Sequence, residues 1–375
     1  MIVTESFDLQ LSDLLNRIGV KLQITPTQHQ LAEQRYQEIS DWLSTGDSPL
    51  ARYSPTIYPQ GSLRIGTTVR PLGRQEYDLD LVLEIGWDWR RIRNPVVLLD
   101  LVETRLRQHD TYRDMLERKN RCIRVQYANQ FHLDILPACP DPGSGNGCVV
   151  VPDREAKDWK PSNPTGYAAW FDRQAQVALF EMAKQVEPLP DWEPSQMKPP
   201  LNRAVQLLKR WRDIRYARTP DLAPISIVLT TLAGQHYGGE ELVNQALERI
   251  VGGIVAALPT IGRLVVQNPS NPQEDLSERW DETPDAYQAF VAGMRELQVT
   301  WKQLNQQRGM SNVQATLRQL FGEEIAKTVV AEQTKAVESF RSRQSLGVGR
   351  GSGTLASITA GSVPIPRNTF YGEGP

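Results

Sequence analysis

The stretch GSLRIGTTVRPLGRQEYDLDLVLEI, residues 61–85, decides the fold of this chain. Its second part, residues 77–85, alternates between apolar and other side chains, which predicts a β-strand with one face in a core. Asp78 and Asp80 stand at alternate positions, and a strand places residues i and i+2 on the same face. Two carboxylates held side by side repel each other, and burial strengthens that repulsion. A bound cation relieves it, and hard oxygen ligands select Mg²⁺ or Mn²⁺.

A third acid lies on a later strand. The sequence RCIRVQYANQFHLDILP predicts a hairpin with strands at residues 122–127 and 131–136. In its second strand, His132 and Asp134 face away from the apolar positions. If this strand pairs beside the first, Asp134 completes a set of three carboxylates, which suffices to hold two metal ions. His132 is not needed as a general base, because metal ions and carboxylates suffice to deprotonate a hydroxyl, so we expect it at the opposite edge or at a flanking position.

The dipeptide Gly61-Ser62 supplies the next element, at the end of a strand-like stretch and ahead of the acidic strand. Glycine lets the backbone approach a phosphate closely. The serine hydroxyl and nearby N–H groups are suited to donate hydrogen bonds to phosphate oxygens. A Gly-Ser pair, an Asp-x-Asp pair on a strand, or a lone Asp carries little information by itself. In this order and context, they predict metal-dependent nucleotidyl transfer.

The rest of the chain predicts a bilobed α+β protein. Residues 1–200 form a mixed α/β catalytic lobe, residues 201–344 a helical lobe, and residues 345–375 a flexible tail rich in Gly and Ser. Thr25-Pro26 begins a helix, and residues 139–164, rich in Pro, Gly, Ser and Asp, are expected to form a long loop. Helical segments are predicted near residues 96–108, 165–184, 201–217, 223–237, 240–257, 282–308, 312–327 and 328–342.

Composition excludes several classes of protein. The 375 residues include 42 Lys and Arg against 44 Asp and Glu, so constitutive nucleic-acid binding is not expected. Three cysteines without a CxxC pair argue against a disulfide framework or zinc site and favour a reducing cytoplasm. The N-terminus lacks the pattern of a signal peptide, and the apolar run from Ile250 is too short to span a bilayer. We therefore expect a cytoplasmic protein without a membrane partner.

The run at residues 61–85 resembles the core signature of the cGAS/DncV-like nucleotidyltransferases (CD-NTases) of bacterial anti-phage signalling (CBASS), a branch of the DNA polymerase β superfamily. Its spacer between Gly-Ser and the acids is longer than the common superfamily pattern, as in that branch. Further segments resemble the family in the same order, so that the resemblance covers most of the chain. These segments are residues 151–171, 201–213, 224–237, 268–280 and the closing IPRNTFYG.

The resemblance implies a fold and an activity. It implies a polymerase β-like lobe with a long N-terminal brace helix, packed on a helical lobe. Members of the family link ATP, GTP, CTP or UTP into cyclic di- or trinucleotides, with release of pyrophosphate, and the product acts on a separate effector. It also implies two magnesium ions, which manganese can replace. Base choice, ring size, linkage, activation signal and oligomeric state stay open.

The resemblance also assigns site residues. The three acids match the metal-binding residues, and Gly61 and Ser62 match the phosphate-binding loop. Lys209 flanks the apolar stripe of a helix and is placed to reach the triphosphate as a point charge. Ser226 opens the next helix, where N–H groups favour anions. The alternatives are a solvated lysine on a basic helix and an ordinary helix-start serine.

Other functions compete with this one. An RNA-directed (polynucleotide or tRNA) nucleotidyltransferase has the same catalytic lobe, although the acidic pI of about 6.2 disfavours it. An inactive scaffold would not need an intact set of acids, and an antibiotic nucleotidyltransferase would not need the helical lobe. In many operons of this family, an E1/E2-like protein joins the C-terminal residue to a target. The tail ending TFYGEGP suits such conjugation, although Pro375 departs from the small terminal residue expected.

Overall fold

A computed structural model describes residues 2–44, 46–70, 72–73, 77–127, 131–175, 198–307, 309–342, 346–349, 355–357 and 362–364 of the protein. These residues form two lobes, one built on a mixed sheet and one helical, each around its own hydrophobic core. This confirms the predicted bilobed α+β fold. The helices are α1 (Ile2–Leu22), α2 (Pro26–Ser44), α3 (Gly61–Arg64), α4 (Val96–Arg107), α5 (Pro164–Gln174), α6 (Pro200–Arg215), α7 (Ser226–His236), α8 (Val243–Ala257), α9 (Arg279–Glu282), α10 (Pro284–Gln306), α11 (Met310–Phe321) and α12 (Glu323–Ser342).

The main sheet forms the centre of the first lobe. Its path runs β1-β2-β5-β4-β3, and β6 pairs with both β5 and β7. Strands β2 and β5 are parallel, whereas the other pairs are antiparallel. A parallel pair requires a crossover, and α4 lies in the connection between these two strands. The strands are β1 (Thr56–Gln60), β2 (Tyr77–Glu84), β3 (Leu116–Arg118), β4 (Ile123–Tyr127), β5 (Phe131–Pro140), β6 (Val149–Asp153) and β7 (Asp158–Ser162).

One face of the sheet is closed by α2 and α4. Leu79, Leu81 and Leu83 of β2 are buried in this core, as the alternation of the sequence predicts. Helix α2 begins with a capping box, in which the Gln28 N–H donates to Thr25 Oγ1 at 3.2 Å and the Thr25 N–H donates to Gln28 Oε1 at 2.9 Å. The N-terminal boundary predicted at Thr25-Pro26 is therefore confirmed. The even positions of β2 face the opposite side of the sheet.

Helix α1 belongs to the core of the helical lobe. Its buried face packs among α6, α8 and α12. The residues of this face follow the spacing of an amphipathic helix and are Leu11, Leu14, Leu15, Ile18 and Leu22. Helix α5 also places Tyr167, Ala168 and Phe171 in this core. Two elements within residues 1–200, the stretch predicted as the catalytic lobe, thus pack in the helical lobe.

The long loop predicted for residues 139–164 is wrong. Strand β5 continues to Pro140, and β6 and β7 form a hairpin within this stretch. Three consecutive β-branched residues, 149–151, are buried in β6, and such residues favour strands. Some of the Gly, Pro and Ser that suggested a loop lie in turns, where Gly145 and Gly147 have positive φ, and others lie within the strands, as Pro152 and Pro161 do.

The C-terminal stretch also differs from its prediction where it is described. A Gly322 with φ of 104° separates α11 from α12, so the boundary lies before the predicted residues 327–328. Within the predicted flexible tail, strands β10 (Leu346–Gly349), β11 (Leu355–Ser357) and β12 (Ser362–Pro364) form an antiparallel sheet. The closing TFYGEGP, for which conjugation is predicted, lies outside the described residues, as does the second half of the helix predicted at 165–184.

Two further strands, β8 (Gln267–Asn268) and β9 (Asn271–Asp275), form a small hairpin in the helical lobe. β9 lies against β7 of the first lobe, and side chains of α6 bond residues 65–70, which follow α3, so the lobes touch in both places. No helix in the described parts of the chain is long and apolar enough to cross a membrane.

Candidate active site

The three acids named by the sequence meet on one face of the sheet. Parallel pairing of β2 with β5 sets Asp80 directly opposite Asp134, and Asp78 opposite His132. Because side chains alternate along a strand, Asp78, Asp80 and Asp134 all project from the same side. The predicted pairing of the two acidic strands is therefore confirmed, and His132 takes a position that flanks the acids.

The negative charge of each acid makes ionisation of its neighbours less favourable. Burial, together with the negative charges of Asp134 and Asp78, raises the pKa of Asp80 to about 7. Lys209 and Arg124 act in the opposite direction on the same pKa. A cluster of carboxylates whose charge is only partly compensated is the arrangement expected of a cation-binding site.

Arg124, which the sequence reasoning did not single out, completes this row of charges. It lies on β4 opposite Asp134. Its Nε donates to Asp134 Oδ1 at 2.7 Å, and its Nη2 donates to Asp134 Oδ2 at 2.7 Å and to Asp78 Oδ1 at 3.3 Å. The hydrogen bonds that Arg124 donates to Asp134 raise the pKa of Arg124. The signal was present in the alternation Ile123, Arg124, Val125, which places the arginine on the acidic face once β4 pairs with β5.

The chemistry of these residues fits a divalent cation. All three acids offer hard oxygen ligands, as Mg²⁺ and Mn²⁺ require. As the side chains stand, no three His, Cys, Asp or Glu among the described residues are arranged to hold a metal ion. The guanidinium of Arg124 contacts both Asp134 and Asp78, so a positive charge already stands between two of the acids.

Gly61 lies against Asp80. It follows β1, whose last residue, Gln60, pairs with Asp80, and it begins the short helix α3. Its φ is 64°, and a Cβ at this position would overlap the Asp80 carboxylate. Only glycine combines this backbone conformation with so close an approach. Ser62 is the next residue, and its Oγ lies 3.2 Å from Thr68 Oγ1. The Gly-Ser pair is thus adjacent to the acids.

Residues 65–70, the first part of the long spacer, run from α3 along helix α6; we call this segment the strap. Side chains at the start of α6 and along it donate hydrogen bonds to the main-chain carbonyls of the strap at 2.6–3.1 Å. The pairs are Asn202 to Ile65, Lys198 to Gly66, Lys209 to Thr67, Gln206 to Thr68 and Arg210 to Arg70. The helical lobe therefore fixes the segment that follows the Gly-Ser pair.

Lys209 is buried in this interface rather than solvated. Its Nζ donates to the carbonyl oxygen and to the hydroxyl of Thr67, each at 3.1 Å. Burial, together with the positive charge of Arg212, lowers the pKa of Lys209 to about 7, although the charge of Asp80 acts to raise it. Its influence on the pKa of Asp80 shows that its charge is felt at the acids.

Ser226 stands at the first turn of α7, and its hydroxyl accepts a hydrogen bond from Arg212 Nη1 at 2.6 Å. The structure thus links it to Arg212, a neighbour of Lys209 along α6. Arg212 also bonds Asp213, with Nε and Nη2 at 2.9 and 2.6 Å from Oδ1. The positive charge of Arg212 acts to lower both the pKa of Asp78 and that of Lys209, so a basic group from the helical lobe faces the acids of the sheet.

Comparisons with known proteins agree on one family. The Second Messenger Oligonucleotide or Dinucleotide Synthetase domain matches residues 7–174. The chain is 32% identical over its full length to a c-di-GMP synthase of Roseivirga ehrenbergii, which is also covered in full. It is 28% identical to the cyclic dinucleotide synthase CdnG of Bradyrhizobium diazoefficiens, over 89% of this chain and 84% of that protein.

Solved structures give the same result. The structure of B. diazoefficiens CdnG in complex with GTP superimposes with a TM-score of 0.70 at 27% identity, covering 86% of this chain and 98% of that one. Escherichia coli DncV, at 17% identity and a TM-score of 0.55 over 86% of this chain and 89% of its own, shares the fold.

Proposed function

Since the chain belongs to the second messenger oligonucleotide or dinucleotide synthetases, the cGAS/DncV-like nucleotidyltransferases, we propose that it joins two GTP molecules into cyclic di-GMP. As a nucleotidyltransferase of this family, it condenses nucleoside triphosphates into a cyclic dinucleotide. The choice of GTP is supported by the two similar enzymes, one named a c-di-GMP synthase and the other solved with GTP. The same relatives favour this function over RNA-directed transfer.

One observation carries the assignment of the site. Asp80 and Asp134 are paired in register on adjacent strands, and Gly61 lies against Asp80. Asp78, Asp80 and Asp134 would hold the divalent metal on which nucleotidyltransferases of this kind depend, two Mg²⁺ ions in our proposal. Bound there, the metal would supply Lewis-acid polarisation of the phosphate and a lowered pKa for the attacking hydroxyl.

The chain's own residues bind and orient the reactants. The Gly61-Ser62 pair offers main-chain N–H groups and a hydroxyl to the donor triphosphate beside Asp80. Arg212 and Lys209 place positive potential on the side of the cleft formed by the helical lobe, where it attracts the triphosphate. Ser226, at the start of α7 and bonded to Arg212, is proposed to take part in the same phosphate contacts. Asp134 faces the acceptor and is proposed to receive the proton of its hydroxyl.

Each round of the reaction makes one phosphodiester bond. The ribose hydroxyl oxygen of the acceptor bonds to the α-phosphorus of the donor, while the bond from that phosphorus to the bridging oxygen breaks. Pyrophosphate leaves with that oxygen, and the proton of the hydroxyl passes to Asp134 and then to solvent. A second round within the linear intermediate closes the ring. Positioning of the ribose decides whether the 2′ or 3′ oxygen attacks.

Incubation of the purified protein with Mg²⁺ and single nucleotides tests the proposal. GTP alone should release pyrophosphate and give a phosphatase-resistant product with the mass of cyclic di-GMP. A product formed only from a mixture of nucleotides would refute the choice of GTP but keep the nucleotidyl transfer. A strict requirement for RNA would favour the RNA-directed alternative instead.

We further propose that the product signals to a separate effector in anti-phage defence and that the C-terminal tail is a substrate for conjugation. The basis is the resemblance to the family and the closing TFYGEGP. Removing the residues after Arg367 should leave synthesis in vitro unchanged and abolish conjugation by an E1/E2-like protein from the same operon. Conjugation of the shortened chain at the wild-type level would contradict the second part.

A further inference from the structure

Arg124 contacts two of the three acids that are proposed to bind metal. We propose that Arg124 is the counter-ion of the metal-free site, and that it competes with the incoming divalent cation for Asp134 and Asp78. The inference rests on the proposed function, because it takes those two acids as metal ligands. It assigns to Arg124 a role opposed to metal binding, in a site whose other residues are proposed to bind metal or phosphate.

The geometry of the contact supports this role. Arg124 engages both carboxylate oxygens of Asp134 at 2.7 Å, and a third contact of 3.3 Å reaches Asp78. Two parallel N–H···O bonds between a guanidinium and a carboxylate are among the stronger hydrogen bonds of proteins. The side chains of Arg124 and Asp134 are only 20% and 14% exposed, so water screens this pair less than a surface ion pair.

The electrostatics of the row explain why a counter-ion is needed. Three carboxylates project from neighbouring positions of two strands, and each raises the energy of the others. The Lys209 ammonium donates a hydrogen bond to Thr67 of the strap. It forms no ion pair with the acids and acts on the pKa of Asp80 only through its charge, at longer range. Arg124 forms direct ion pairs, so it neutralises part of the cluster while no divalent cation is bound.

A competition follows from the shared oxygens. Arg124 already bonds both oxygens of Asp134 and one of Asp78. A cation held by these acids would therefore share their oxygens with a positively charged guanidinium, and the repulsion between the two positive charges favours displacement of the guanidinium. Metal binding to the free protein therefore includes the separation of an ion pair. Metal binding becomes more favourable when the cation arrives with a nucleoside triphosphate, because the negative charge of the triphosphate offers the guanidinium a new partner.

Mn²⁺ binding to the full chain without nucleotide tests the inference, with free Mn²⁺ measured by electron paramagnetic resonance. Arg124→Gln should bind Mn²⁺ more tightly than wild type by about tenfold, the factor that corresponds to one charge-assisted hydrogen bond. Arg124→Lys, which keeps the charge but loses the paired geometry, should lie between them. The direction of the change in Mn²⁺ affinity separates the two roles. Loss of an arginine that only holds the acids in place would disorder them and weaken Mn²⁺ binding.

A matched control lies on the neighbouring strand. Arg118 of β3 is 24% exposed and also pairs with two acids, Asp100 at 2.6 Å and Glu103 at 2.5 Å, outside the acidic row. Arg118→Gln should leave the Mn²⁺ affinity at the wild-type value. In thermal melts, Arg124→Gln should be less stable than wild type without metal, and the difference should shrink as Mn²⁺ is added.

Two results would overturn the inference and are distinguishable. If folded Arg124→Gln, or Arg124→Lys where the first variant does not fold, binds Mn²⁺ no more tightly than wild type, the competition is refuted and the metal site stands. If Asp134→Asn leaves the Mn²⁺ binding of the otherwise wild-type chain unchanged, the proposed metal site fails and the inference fails with it.

Discussion

Two polar clusters lie on either side of the Gly-Ser pair, and they are organised in opposite ways. The acidic row on β2 and β5 gathers charges of one sign, and burial together with those charges raises the pKa of Asp80 to about 7. The interface between α6 and the strap instead pairs buried donors with main-chain carbonyls at 2.6–3.1 Å. Buried donors that are paired with acceptors fix a geometry, whereas charges of one sign are kept together where a ligand neutralises them.

The comparison separates catalysis from positioning. If it holds, removing Asp80, which has no ion pair with Arg124, abolishes turnover without loss of stability. Variants in the strap interface lose stability first and turnover second. Replacing a polar side chain should therefore lower turnover without loss of stability at one site and lower stability first at the other, although both sites lie beside the Gly-Ser pair.

The largest effect is expected in the acidic row. Asp80→Asn keeps the size of the side chain and removes a metal ligand, so pyrophosphate release from GTP should fall by at least about 10³-fold. Asp78→Ala combined with Asp80→Ala should abolish it. Thermal unfolding should show no loss of stability, because removing one carboxylate relieves the repulsion that raises the pKa of Asp80. Turnover near the wild-type rate in either variant would refute the site.

Gly61→Ala should give the next largest effect. The φ of 64° strains any other residue, and the added Cβ would push against the Asp80 carboxylate. We expect kcat/KM for GTP to fall by about 10²-fold, the scale at which misplaced catalytic groups act, and stability to fall by roughly 1–3 kcal/mol.

Gly73→Ala is the matched control for that variant. Gly73 has a φ of 67°, but a Cβ there would meet no atom within 4 Å. It should lose a similar amount of stability and keep wild-type turnover. Equal loss of turnover in both variants would show that backbone strain, and not the contact with Asp80, explains the effect.

The acidic row could be predicted from the sequence because its signals are local. A period of two marks β2 as a strand and sets Asp78 beside Asp80, and the order of the motifs adds Asp134. Arg124 was missed because it reaches the acids only through the pairing of β4 with β5. A basic residue on a strand has no metal-site signature of its own.

The strap interface could not be predicted for a different reason. Asn202 and Gln206 are ordinary polar residues of a helix in the sequence, and their partners are carbonyl groups, which every residue possesses. The hairpin β6-β7 was also missed, since the Gly-rich connection between β5 and β6 and the prolines within β6 and β7 are typical of a loop. Helix α1 was expected only from the family resemblance, because its partners lie far along the chain in α6, α8 and α12.

Gln206→Met tests the positioning role of the strap interface. The change leaves the Thr68 carbonyl without its 2.8 Å bond and removes the acceptor of an Arg203 bond, also 2.8 Å. A buried partner left unpaired costs about 1–3 kcal/mol, so the variant should unfold at lower denaturant. We expect kcat/KM for GTP to fall by roughly tenfold, because the strap follows the Gly-Ser pair directly.

Gln333→Met is the corresponding control in the helical lobe. Gln333 is buried as well, and its amide donates to the Gln10 carbonyl and to Asp13, each at 2.9 Å. A similar loss of stability with wild-type kcat/KM is expected. If Gln333→Met lowers kcat/KM as much as Gln206→Met does, stability alone explains the loss and the strap has no special role.

The smallest effect is expected where the lobes meet at an exposed edge. Glu278 accepts hydrogen bonds from Arg121 at 2.6 Å and from Lys160 at 3.2 Å, and its side chain is 46% exposed. Glu278→Gln should lower the free energy of unfolding by at most about 1 kcal/mol, and added salt should reduce the difference. Although burial acts to raise the pKa of Glu278, Arg121 and Lys160 hold it below its ordinary value. The contribution is therefore present above the unfolded pKa of about 4.3 and is lost as the pH falls through the lower folded value.

Glu296→Gln provides the comparison within one lobe. Glu296 pairs with Arg215 at 3.0 Å and is 51% exposed, but both residues belong to the helical lobe. Chemical denaturation at low and high salt should give the same small change for both variants, since solvent screens both pairs. The two variants should differ in turnover of GTP only if the exposed edge helps to set the angle between the lobes. If Glu278→Gln loses more turnover than Gln206→Met, the angle between the lobes is set at the edge formed by β7 and α9, and not by the buried contacts of α6 with the strap.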